Sequence, residues 1–86
     1  MPEICRFYGI VIKRYFADHS PPHFHAEYAE YEARIAIESL AVVSGTLPPR
    51  ALGLIAEWAS LHQQDLSGLW DKARRAEPLG RLDPLP

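Results

Sequence analysis

The sequence predicts an α+β domain. Its expected form is a three- or four-stranded antiparallel meander packed against one long C-terminal helix or two shorter ones. Three observations carry that expectation. The first half consists of short runs rich in β-branched and aromatic residues, separated by turn formers. The second half repeats apolar residues at three- and four-residue steps. Between them stand Pro48 and Pro49, which suit a helix entry because a missing N–H does no harm there.

"CRFYGIVIKRYF" reads as the first strand. Tyr8, Ile10, Ile12, Arg14 and Phe16 share one parity, and Phe7, Gly9, Val11, Lys13 and Tyr15 share the other. Both faces are partly apolar, as in a central strand or one covered by a helix or another chain. Gly9 marks a bulge or a close approach. "DHSPP" then breaks the chain, since proline fixes φ and restrains the residue before it.

"HFHAEY" follows as a second strand and "YEARIAI" as a third, with a turn near Ala29 and Glu30. In the third, Tyr31, Ala33, Ile35 and Ile37 lie on one face, opposite Glu32, Arg34 and Glu38. "LAVVSGTL" reads as a fourth strand. Strands are thus expected over about 4–47 and helix over about 49–77. Ala51, Ile55, Trp58, His62, Leu66, Leu69 and Ala73 form the helical apolar stripe, and Ser67-Gly68 is the expected break. Residues 78–86, with three prolines, are expected to run extended.

At 86 residues the chain is expected to form one small domain that gains stability from a partner. Apolar residues make up 48%, enough for a core. A net charge of -2 gives no global attraction to nucleic acid. The single cysteine, Cys5, excludes an intramolecular disulfide and reads as a small buried apolar residue. No secretory leader pattern opens the sequence, and no apolar run approaches the ~20 residues that span a membrane. The expectation is a soluble cytoplasmic protein.

Three of the four histidines fall in "DHSPPHFHAEY", residues 18–28. His23 and His25 are two apart on a strand and project from one face, as two imidazoles binding one metal would. Asp18, His19 or Glu27 are the further candidate ligands, a mixed N/O set suited to a divalent transition metal such as zinc, iron or manganese. The same groups, Asp18, His19, His23 and His25, are candidates for acid/base catalysis. The competing reading is a rigid corner whose imidazoles satisfy backbone groups or meet a partner, and it is the favoured one. His23-x-His25 followed by Glu30 resembles half of a cupin metal motif, but its flanking glycines and second histidine motif are absent. His62, on the apolar stripe, reads as a satisfied core histidine.

Arg6, Lys13, Arg14 and Arg34, interleaved with Phe7, Tyr8 and Tyr15, would make an RNA-binding patch. Neighbouring Glu27, Glu30, Glu32 and Glu38 favour a mixed solvated face instead. Phe7, Tyr15 and Trp70 are the candidate partner-interface residues.

"RFYGIVIKRYFADHSPPHFHAEYAEYEARIAI", then "LPPRAL" opening a helix with "EWASLHQQDL" and Trp70, resembles a small bacterial family, the domain of unknown function 4160 family. The likeness runs from about Ile4 to Glu77. It departs at Ala29, where the family often has Gly or Asn. The resemblance implies no catalytic residue. It implies a neighbouring gene of the domain of unknown function 2442 family, hence a toxin–antitoxin-like or regulatory two-gene cassette. The functional expectation is a non-catalytic interaction module, binding that small protein or forming a homodimer. The rival is a small metal-dependent enzyme, hydrolase or nuclease-like, using His23 and His25.

Overall fold

The computed structural model describes residues 3–14, 22–75 and 80–86, with only the backbone at positions 73 and 74. Tyr15, Phe16, Asp18, His19 and the double proline's Pro21 lie outside the described residues, as does Pro78.

Five strands form one antiparallel meander in the order β1-β2-β3-β4-β5. They are β1 (Glu3–Phe7), β2 (Ile10–Lys13), β3 (His23–Tyr28), β4 (Tyr31–Ala36) and β5 (Val42–Thr46). Two helices follow, α1 (Pro49–Leu61) and α2 (Gln63–Arg74). The α+β class and the meander match the expectation. The strand count does not: there are five among the described residues, because the expected first strand is a hairpin.

Tyr8 and Gly9 make that hairpin's turn, with φ of 49° and 81°. Positive φ at both central positions suits the right-handed twist of the flanking strands. Phe7 therefore pairs with Ile10 and both point the same way. A single alternating parity across residues 7–10 does not survive the turn.

Ala29 begins the connection from β3 to β4 with φ 53°. An L-residue there carries strain of about 1–2 kcal/mol that glycine would not. The tight turn is kept, with Tyr28 paired to Tyr31.

One sheet face carries the core. Phe7, Ile10, Ile12, Phe24, Ala26, Ala33 and Ile35 share it, and they join one buried cluster with Ala51, Ile55, Trp58 and Ala59 of α1 and Leu66, Leu69 and Trp70 of α2. Trp58, fully buried, is the centre: its ring lies 5.5 Å from Phe7 and 5.9 Å from Phe24. Burying an aromatic ring of this size dominates the energetics of so small a core.

The helical break falls at His62, not at Ser67-Gly68. His62 has φ -124° and ψ 18°, its N–H donates to the Ala59 carbonyl, and its own carbonyl accepts from Leu66. The His62 ring packs 5.2 Å from Trp58, and its Nδ1 lies 3.2 Å from Asp65 Oδ2. Gln63 fixes the next helix by donating from its side-chain amide to the carbonyls of Ile37 and Glu38, at 2.9 and 3.0 Å. Among the described residues no helix is long and apolar enough to cross a membrane.

The two sheet edges differ. Along β1 runs the extended segment 80–86, parallel to the strand. Leu82 N–H donates to the Ile4 carbonyl at 2.8 Å, and Leu85 is buried. At the other edge all five residues of β5 are exposed. Gly45, with φ 83°, allows β5 to close on β4: a Cβ there would stand 2.3 Å from the Glu32 carbonyl oxygen. Ile35 pairs with Val42 and Arg34 with Ser44, which leaves Val43 as a bulge residue.

Candidate functional site

β3 runs in register between β2 and β4, so Lys13, His25 and Arg34 stand side by side on the face away from α1. Glu27 and Glu32 are the next pair along that face. His23 and His25 project from it as the two-residue spacing predicts. Both are buried, at 5% and 3% exposure, and their ring centroids are 5.2 Å apart. The sequence pattern thus located a real pair of adjacent imidazoles.

Their neighbours change what the pair can do. Trp70 of α2 lies 5.4 Å from the His23 ring. The Arg14 guanidinium sits 3.8 Å over the same Trp70 ring, and Arg14 is itself 1% exposed. A cation on an indole face is worth roughly 0.5–2 kcal/mol, more when desolvated. The corner is therefore a buried stack of guanidinium, indole and imidazoles. None of Lys13, Arg14, His23 and His25 stands without a partner.

Arg14 is the residue that sequence reasoning misplaced. Its parity with Ile10 and Ile12 puts it on the buried side, neither in a basic patch nor on the mixed solvated face expected of these residues. The rest of that patch is not an open positive surface either. Arg6 pairs with Glu3 at 2.7 Å, and Lys13 pairs with Glu27 at 3.1 Å.

The described residues supply two nitrogen donors at the corner and no group of three or more His, Cys, Asp or Glu suited to a metal. A structural zinc site takes four protein ligands and a catalytic one three. Glu27 is engaged by Lys13, and Glu32, 60% exposed, reaches only 4.0 Å from His25 Nδ1. A buried guanidinium in the same stack also opposes a second cation. Asp18 and His19, the other candidate ligands, lie outside the described residues.

Of the expected interface residues, Phe7 and Trp70 are buried within the chain and Tyr15 lies outside the described residues. Neither described ring is offered to the surface. Cys5 is also buried, and burial pushes its thiol pKa up.

A second polar constellation was not anticipated. Glu3 holds Arg6 on one side and Arg81 on the other, at 2.7 and 3.0 Å. The two guanidiniums, Arg6 first, hold the Glu3 carboxyl below its ordinary value of 4.5. Trp58 Nε1 donates to the Asp83 carbonyl at 2.8 Å, and the Tyr8 hydroxyl donates to the main-chain oxygen of Pro86 at 2.6 Å. The tail's three prolines and three leucines are the available sequence signal.

Comparison with known families gives one match. A family model described as "Domain of unknown function (DUF4160)" covers residues 9–71, more than half of the chain. That span contains the histidine corner, four of the five strands, α1 and most of α2. No curated protein and no solved structure matches the chain.

Proposed function

We propose that this chain, which belongs to the domain of unknown function 4160 family, is a non-catalytic interaction module. It works in the cytoplasm, through the open edge of its sheet. One observation carries the reading: β5 is exposed along its whole length, with Val42 at 43% and Val43 at 48% exposure. An edge strand presents unpaired N–H and C=O groups, and its usual protections are lysine or proline on the edge, or a cover. β5 has the Val43 bulge but no charge and no proline. Strand addition supplies affinity through main-chain hydrogen bonds and specificity through alternate side chains.

The partner is a small protein encoded beside it, of the domain of unknown function 2442 family that the resemblance associates with this one. The pair would form a regulatory, toxin–antitoxin-like cassette. A second copy on the same edge would give the homodimer. Val43→Lys in the full chain tests this. It should abolish association with the co-expressed neighbour, or self-association, in analytical ultracentrifugation, and leave the melting temperature within a few degrees. A parent chain that stays monomeric at high concentration and ignores the neighbouring gene product would sink the reading.

A second reading rests on the adjacent buried imidazoles. His23 and His25 would be two ligands of a divalent transition metal in a small hydrolase or nuclease-like enzyme. Asp18 or His19 would be the third ligand or the general base. It expects zinc, manganese or nickel to raise the melting temperature, and His23→Ala with His25→Ala to remove that rise. Purified protein that carries no metal and does not respond to these ions rules it out.

A further inference from the structure

Residues 80–86 are held as a ligand is held. Their contacts repeat the devices by which proteins grip extended proline-containing peptides: aromatic N–H and O–H donors aimed at peptide carbonyls, and a pocketed side chain. Trp58 donates to the carbonyl of Asp83, which precedes Pro84, and Tyr8 donates to the main-chain oxygen of Pro86. Leu82 makes one backbone bond to the β1 edge. Pro84 and Pro86 have no N–H, so the segment cannot become a full sixth strand. Leu85 is 8% exposed, and Arg81 is fixed by Glu3.

Leu85 and Pro86 also help to line an adjoining, partly open cavity of about 740 Å³, walled by Tyr8, Tyr28, Pro48, Arg50, Leu54 and Glu57 among others. That volume is in the range of pockets that enclose ligands.

We propose that the groove between the β1–β2 hairpin and α1 is a peptide-binding site. Its ligand is an extended segment of a partner protein, of the pattern Arg-Leu-x-Pro-Leu-Pro, and residues 80–86 fill it in the isolated chain as an internal competitor. A tethered competitor acts at an effective concentration of order millimolar, so a free segment of equal affinity enters only near that concentration, and at lower concentration only by binding proportionately more tightly. This surface is separate from the β5 edge, and its test reads a different signal.

The test uses the full chain carrying Leu85→Asp, which places a charge at the buried tail position and releases the tail. The probe is a fluorescent peptide of sequence GRLDPLP, followed by anisotropy, with the Trp58 indole N–H as an NMR reporter. The peptide should bind L85D at least tenfold more tightly than the parent chain and restore the Trp58 signal. A scrambled peptide should not, and Tyr8→Phe in the L85D background should weaken binding severalfold. If L85D does not fold, Arg81→Gln carries the same comparison, since Arg81 is an exposed anchor. A folded variant that binds GRLDPLP no better than the scrambled peptide overturns the proposal. A parent chain that forms a dimer dispersed by the peptide also overturns it, because the occupant is then a second copy.

Discussion

β1 and β5 bound the same sheet, yet β1 has a proline-containing segment along its outer side while β5 lies exposed over all five residues. The covered edge is fastened by side chains from three elements: Glu3 of β1, Tyr8 of the hairpin turn and Trp58 of α1. Among the described residues the open edge is fastened inward, by its ladder to β4 and the close approach of Gly45. Stability is thus concentrated at the β1 side, and free backbone valence at the β5 side. A sheet with one finished edge has a single direction in which to add a strand.

The largest way to break this contrast is Trp58→Ala. It removes the ring packed on Phe7, Phe24 and His62, together with the donor that holds Asp83. The expected loss is about 3–5 kcal/mol, read by urea unfolding, and the tail should detach with it. Gly45→Ala attacks the other edge. Its positive φ alone costs about 1–3 kcal/mol, and the new Cβ must push away the Glu32 carbonyl. β5 amides should lose protection in hydrogen exchange while those of β1 and β2 keep it.

Ala29→Gly sharpens the comparison from the middle of the sheet. It should stabilise the domain by about 1 kcal/mol, read as a rise in melting temperature, with neither edge altered. The smallest effect is a pH dependence confined to the covered edge. The Glu3 carboxyl is held down by Arg6 and then Arg81, so its contribution is complete above the ordinary 4.5. That contribution is lost as pH falls through the lower folded-state value. The Trp58 indole N–H should broaden or shift over that acid window, earlier in high salt. A tail that stays docked well below it would show that Leu85 and the carbonyl bonds suffice.

Much of the fold was legible because periodicity is a local property. Ala33 and Ile35 alternate with Glu32 and Arg34 as burial requires, and the helical stripe from Ala51 to Leu69 faces the sheet. The split of the first strand was less legible, because Tyr8 takes a positive φ in a turn closed by the pairing of Phe7 with Ile10. The break at His62 was also hidden. It is set by Gln63 reaching Ile37 and Glu38, partners 26 and 25 residues away. At the corner, spacing revealed that His23 and His25 share a face. It could not reveal Arg14 lying over Trp70, a contact between distant elements. The tail clasp was least legible of all, since Tyr8 and Pro86 are 78 positions apart.

That separation bears on how the molecule is made. The hairpins join neighbouring segments and fold early, whereas the tail closes a loop almost as long as the chain. At translation rates of 5–20 residues per second, the ~36 residues between the end of β5 and Leu82 take roughly 2–7 s to synthesise. For those seconds the nascent sheet has two adhesive margins instead of one. Arrival of Leu82, Asp83 and Leu85 then makes it one-sided, so the tail acts as a timer on which surfaces a newborn chain shows its neighbours.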